Sequence, residues 1–227
     1  MSVFYESYGA AKNYSTPTLN RKHIARFDTE VWQPAGLKPG MRCLEIGCGT
    51  GHFLSYLHHK GIDDLKAIDL DQSLSDVIPD AVRDKFEAVD VWAYLEKTAD
   101  RQMFERIFLF DVLEHFVPED GYRLLTGLSG LLTPGGAIIL KMPNASSPWG
   151  LQFQYGDLTH LAAYTPDSTR QMAVACGLAC SACWPHLLGS RNRQRLDRML
   201  QAILNRVCAT PPEIWEGNFY ARLDKPA

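Results

Sequence analysis

The sequence is short of several things, and each shortage removes a class of protein. It has no basic excess: the 227 residues carry a net charge of −3, so no charge field draws nucleic acid to the chain. No apolar run approaches the roughly 20 residues that cross a bilayer, so no integral membrane segment is expected. The N-terminus, Met1 to Tyr8, has no basic stretch followed by an apolar one. No signal peptide is therefore expected, and the chain reads as cytoplasmic. Cysteine is sparse, six in all and several in apolar runs, which suits reduced thiols rather than a disulfide framework. What remains, with 46% apolar residues, is one domain able to bury a core. Nothing in these features fixes an oligomeric state.

What is present is organised around Cys43 to Phe53, which reads Cys-Leu-Glu-Ile-Gly-Cys-Gly-Thr-Gly-His-Phe. Met41 to Ile46 is nearly apolar throughout, as suits a parallel strand buried on both faces. Gly47, Gly49 and Gly51 form a turn, and Phe53 to His59 continues as a helix. Strand, glycine turn and helix make the nucleotide-binding start of a doubly wound α/β sheet. A dinucleotide fingerprint is G-x-G-x-x-G, whose third glycine would fall at position 52. His52 stands there, which counts against an NAD-dependent oxidoreductase. The turn is instead G-x-G-x-G, with Glu45 two residues ahead of it. This stretch resembles the first motif of class I S-adenosylmethionine-dependent methyltransferases. S-adenosylmethionine carries an ammonium, a carboxylate and a sulfonium but no pyrophosphate, so an acid beside the loop is favourable.

The resemblance implies a cofactor set. Glu45, Gly47, Cys48, Gly49 and Gly51 would cradle S-adenosylmethionine. A second strand, Leu65 to Leu70, would present Asp69 to the ribose hydroxyls with Leu70 beside it, and Asp71 is the neighbouring alternative. A third, Lys85 to Val89, leads into Asp90 and Val91, which would meet the adenine amino group and ring. Asp90 can also cap a helix over Val91 to Lys97. Phe104 to Phe110 is a fourth strand, followed by Asp111-Val112-Leu113-Glu114-His115 and a helix from Glu119 to Leu132. A Pro134-Gly135-Gly136 turn, a fifth strand over Ala137 to Met142, and Pro143-Asn144 follow. This run resembles the ubiquinone-type branch of the same family and places Asp111 beside the cofactor. Five such units imply right-handed crossovers.

The implied fold is a doubly wound, mainly parallel seven-stranded sheet with an antiparallel last strand. A helix over Asp167 to Cys176, a sixth strand over Leu178 to His186, a basic amphipathic helix over Arg191 to Cys208 and a seventh strand over Asn218 to Leu223 complete it. Residues 1–39, with Phe4, Tyr5, Tyr8 and Tyr14 and a helix over Arg21 to Trp32, would cap the cofactor. Residues 145–165 and 187–212 would form an acceptor-side loop and a lid helix. That lid helix carries Arg191, Arg195 and Arg198 on one face, either solvated or gripping a phosphorylated substrate.

Tyr155 to His160, followed by Tyr164-Thr165-Pro166, resembles methyltransferases of polysaccharide biosynthesis, which implies O-methylation of a sugar or glycan precursor. Another small-molecule hydroxyl, quinone-like for instance, and a catalytically silent cofactor-binding module are the alternatives. The (D/N)-P-P-Y motif of base amino-methyltransferases is missing after strand four. A hydroxyl acceptor needs a proton sink. His160 with Asp157 three residues before it is the first expectation, and His115 the second. No metal is expected, since Asp157 and His160 supply only two ligands. Cys176, Cys180 and Cys183 have the spacing of a radical-enzyme iron–sulfur motif, but they straddle a helix end and a strand start and read as small apolar packing residues.

Overall fold

The computed structural model describes residues 14–98 and 103–226. The aromatic residues Phe4, Tyr5 and Tyr8 lie outside the described residues. Helix α1 (Arg21–Phe27) starts at Asn20, whose side chain accepts hydrogen bonds from the Lys22 and His23 amides. It runs directly into a π-helical turn, Asp28–Trp32. The alternation of strands and helices follows the sequence pattern: β1 (Cys43–Ile46), α2 (His52–His59), β2 (Leu65–Asp69), β3 (Phe86–Ala88), α3 (Val91–Thr98), β4 (Phe104–Phe110), α4 (Pro118–Leu131) and β5 (Leu132–Pro143). Then come α5 (Leu151–Gln154), α6 (Pro166–Ala175), β6 (Ala179–Pro185), α7 (Arg191–Val207) and β7 (Asn218–Asp224). Boundaries move by one or two residues from expectation, except that β5 starts at Leu132. The Pro-Gly-Gly turn is absorbed as an irregularity, and the pairing with β4 shifts register between Phe104 and Arg106.

All seven strands form one sheet in the order β3-β2-β1-β4-β5-β7-β6. The pairs from β3 to β5 are parallel, and β7 runs antiparallel between β5 and β6. The strand order reverses between β1 and β4, which opens a crevice at their carboxyl ends.

The sheet is buried on both faces because alternate residues serve opposite layers. In β4, Ile107 and Leu109 join a layer with Leu124, Leu125 and Leu128 of α4. Phe108 between them joins the other layer, with Phe53, Tyr56 and Leu57 of α2 and Phe27 of α1. Each fully buried side chain of this size contributes roughly 1.5–3 kcal/mol. Helix α7 is the exception: none of its residues is buried. Leu196, Met199, Ile203 and Val207 on its outer side are all more than half exposed. Trp215 donates from Nε1 to Asn205 Oδ1 at 2.8 Å, and Gln201 Nε2 donates to Glu216 Oε1 at 3.0 Å. Among the described residues no helix is long and apolar enough to cross a membrane.

Candidate active site

The glycine loop sits at the crevice, and its backbone requires glycine. Gly47, Gly49 and Gly51 have φ of 68°, 52° and 76°, in the left-handed region. A Cβ built on Gly47 would come within 2.5 Å of Val112 Cγ2, whereas one on Gly49 would meet nothing within 4 Å. The loop therefore closes tightly against the β4 exit and leaves open space in front of Gly49. The Gly49 amide donates to Asp69 Oδ2 at 2.9 Å, and the Asp71 amide donates to Asp69 Oδ1 at 3.1 Å. Asp69 thus fixes the loop from the end of β2. Asp71 turns to its own turn and accepts from the Ser73 amide and hydroxyl. Leu70 is 48% exposed beside them. At the end of β3, Asp90 accepts from the Trp92 amide at 2.9 Å and so caps α3, with Val91 as the first helical residue.

Glu45 lies under the loop. It is buried, and its Oε2 has no hydrogen-bond partner among the described residues. Burial, with the Asp69 carboxylate nearby, pushes its carboxyl up to about 8. A cleft of about 280 Å³ opens above Glu45 and Gly49 and is closed on the far side by Phe110, Lys141, His186 and Tyr220. Lys141 is ion-paired with Asp111 at 2.5 Å. Asp111 takes φ 56° at the β4 exit, a strained setting for a side-chain-bearing residue.

The π-helical turn brings Glu30, itself buried, against Tyr220 and His186 of this wall. Tyr220 donates to Glu30 Oε2 at 3.2 Å, and His186 Nε2 lies 3.6 Å from the same oxygen. Trp184 Nε1 donates to the Glu30 carbonyl at 2.8 Å. Burial raises the Glu30 carboxyl above its ordinary value. Burial, with Lys141 and Arg26 nearby, pushes the His186 imidazole down to about 4, so it is neutral at physiological pH.

A second polar cluster stands at the β4 edge. Asp157 Oδ1 accepts from the Thr159 hydroxyl at 2.5 Å, and Thr159 Oγ1 is 3.0 Å from His115 Nδ1. Burial pushes Asp157 up, but the Thr159 hydrogen bonds and the imidazoles hold it below the usual range. An ionised Asp157 only accepts, so Thr159 donates to it and receives the His115 Nδ1 proton. His160 Nδ1 is 2.9 Å from the Gln154 carbonyl, which again places the proton on Nδ1. Its Nε2 then faces Glu114 Oε1 at 4.0 Å. The carboxylate beside His160 is thus Glu114 rather than the expected Asp157, whose oxygen is committed to Thr159 and, through it, to His115. Glu114 is fully buried, its two oxygens have no hydrogen-bond partner among the described residues, and burial with Asp111 nearby pushes its carboxyl up to about 8. Ligand atoms of Glu114, His115 and His160 all lie within 4.8 Å of one another.

The methyltransferase-domain family model matches residues 18–182, well over half of the chain. The chain belongs to this methyltransferase family. No curated protein sequence matches it. Among solved structures it is similar to a SAM-dependent methyltransferase from Archaeoglobus fulgidus, with 21% identity, TM-score 0.66, and 89% of this chain and 92% of that one covered. It is also similar to an S-adenosylmethionine-dependent methyltransferase from Mesorhizobium loti, with 17% identity, TM-score 0.60, and coverage of 88% and 100%. The [4+2]-cyclase SpnF shares the fold at 17% identity and TM-score 0.61, with 95% and 86% covered. At these identities the likeness extends to the fold alone, and the site must carry the function.

The residues present fit S-adenosylmethionine, the cofactor that the glycine-loop motif implies. The orphaned, buried Glu45 oxygen is a partner for an ammonium. The open face of Gly49 admits a ligand against the backbone, and Asp69, Leu70, Asp90 and Val91 follow along the strand ends. Sequence reasoning missed Glu30, His186 and Tyr220 because a π-turn and an antiparallel strand bring them together from distant parts of the chain. Glu114 was visible only as part of a motif. The cysteine motif separates in space: Cys180 and Cys183 sulfurs lie 3.7 Å apart on β6, and Cys176 donates to the Tyr122 carbonyl on α4.

Proposed function

We propose that this methyltransferase transfers the methyl of S-adenosylmethionine to a hydroxyl of a small molecule, either a sugar or glycan precursor or a quinone-like ring. When bound, the cofactor supplies a methyl made electrophilic by its sulfonium. The chain's part is alignment and proton removal. The observation that carries the reading is the place of His186 on the wall of the glycine-loop cleft, with its Nε2 3.6 Å from a Glu30 oxygen. His186 would take the proton of the acceptor hydroxyl when the methyl leaves sulfur and S-adenosylhomocysteine is released, and Glu30, 3.6 Å from its Nε2, would offset the positive charge. His160, the first expectation from sequence, is the rival proton acceptor from the β4 edge.

The test is S-adenosylhomocysteine release across a panel of hydroxyl acceptors. General-base catalysis contributes roughly 10² to 10⁴-fold, so His186→Asn should lower turnover by that order and leave S-adenosylhomocysteine affinity nearly unchanged. If His160→Ala carries that loss and His186→Asn does not, the proton goes to His160.

A second reading rests on Glu114, His115 and His160. A buried carboxylate and two imidazoles whose Nδ1 protons are already committed form a donor set for a divalent cation. Titration with Mn²⁺ should then show one site, lost in Glu114→Gln.

A further inference from the structure

Helix α7 stands away from the body of the protein. Beneath it is a second cavity, of about 460 Å³, within the range that holds a small ligand. Its wall is largely apolar and aromatic, with Trp149, Phe153 and Trp215 on the body side and Leu204 on the helix. One cationic group on this wall is uncommitted. Arg193 is paired with Asp197 at 3.0 Å, whereas Arg198 has no acidic partner among the described residues and gives its Nε–H to the Gln194 carbonyl. His186 lines this cavity and also the cofactor cleft, so that residue borders both spaces.

We propose that the cavity beneath α7 is the methyl-acceptor pocket, and that it takes an acceptor with a flat apolar or aromatic body and an anionic group. The body lies among Trp149, Phe153 and Trp215, Arg198 holds the anion, and the hydroxyl reaches the cofactor past His186. Indole and phenyl faces suit a flat ring, and a guanidinium on an apolar wall suits a phosphate or carboxylate. This inference rests on the methyltransferase reading of the cleft and narrows it. Of the two acceptor classes, the pocket favours the ring compound over the sugar.

The experiment is calorimetric titration of the protein, saturated with S-adenosylhomocysteine, with 1-naphthyl phosphate as the probe. One saturable site is expected. Leu204→Trp, which fills the cavity from the helix, should weaken binding at least tenfold. Arg198→Gln should weaken it about tenfold, the worth of one charge-assisted hydrogen bond. Ile203→Ser, on the outer side of α7, should leave affinity unchanged. 1-Naphthoate should bind comparably if any anion suffices, and 2-naphthol more weakly. Three results would overturn the proposal: no saturable binding by the wild type, equal affinity in Leu204→Trp, or tighter binding of glucose 1-phosphate than of the naphthyl probe. S-adenosylhomocysteine affinity is measured separately in every form. Its absence from the wild type would overturn the cofactor reading instead, and its retention in both cavity variants shows that they are folded.

Discussion

Glu45 and Gly49 hold the chemistry of the cofactor end between them. Gly49 combines a left-handed backbone with empty space ahead of it, so Gly49→Ala carries both a conformational cost and an obstruction. The backbone cost is about 1–2 kcal/mol, and the methyl projects where ligand must lie. S-adenosylhomocysteine affinity should fall at least tenfold by calorimetry, while the melting temperature falls only a few degrees. Glu45 sets a pH dependence. Its carboxyl is raised in the folded state to about 8 from an ordinary value in the low fours. An acid raised by folding stabilises the protein fully below its unfolded value and loses that contribution as pH rises through the folded value. The ligand-free protein should therefore lose stability progressively between about pH 4.5 and 8 and level off above that, and Glu45→Gln should flatten the slope of melting temperature against pH. The same variant should bind S-adenosylhomocysteine more weakly, since its amide cannot pair with the ligand's ammonium.

Among the elements, α6 and α7 make a contrast. Helix α6 opens with a capping box in which Thr165 and Ser168 satisfy each other's amides, and it buries Thr169 and Ala173. Thr165→Ala should cost about 1 kcal/mol in urea unfolding. Helix α7 buries nothing and rests on side-chain hydrogen bonds, so its amides should be the first helical ones to exchange with deuterium. Occupancy of the cavity beneath should slow them. The elements were legible from periodicity almost to the residue, because nearly apolar strands and 3.6-residue stripes are local signals. The π-turn at Asp28–Trp32 was not, since its apolar pattern is that of any helix and only the distant contacts of Glu30 with Trp184, His186 and Tyr220 set it apart. Nor did the pattern of α7 disclose that its apolar stripe would stay uncovered.

At the scale of the molecule, one sheet carries two apolar layers, and the π-helical turn after α1 ties that helix to β7 through Glu30 and Tyr220. Ligand binding to the folded state alone should raise its stability by about 2.7 kcal/mol at a hundredfold excess over Kd. A single calorimetric transition that moves upward with S-adenosylhomocysteine is expected. The cofactor half of the site was legible in the sequence because its residues follow consecutive strands of a recognisable pattern: Glu45 to Gly51, Asp69, Asp90. The proton-handling half was harder to see. His186 directly follows β6 and Tyr220 lies on β7, and their approach to Glu30 depends on a separation of 190 residues for Tyr220 that no local pattern encodes.

The place of β7 has a consequence for how the chain is made. It is the last of the sheet's seven strands in chain order, yet it lies inside the sheet, with β5 on one side and β6 on the other. A nascent chain that has not reached Asn218 therefore holds open strand edges on β5 and β6 that invite association with other chains. It also lacks Tyr220, and with it one wall of the cofactor cleft. Synthesis is thus coupled to activity: the closing strand brings the sheet's last hydrogen bonds and the site's last wall in one event, and a chain cut short before it can neither finish the sheet nor complete the cleft.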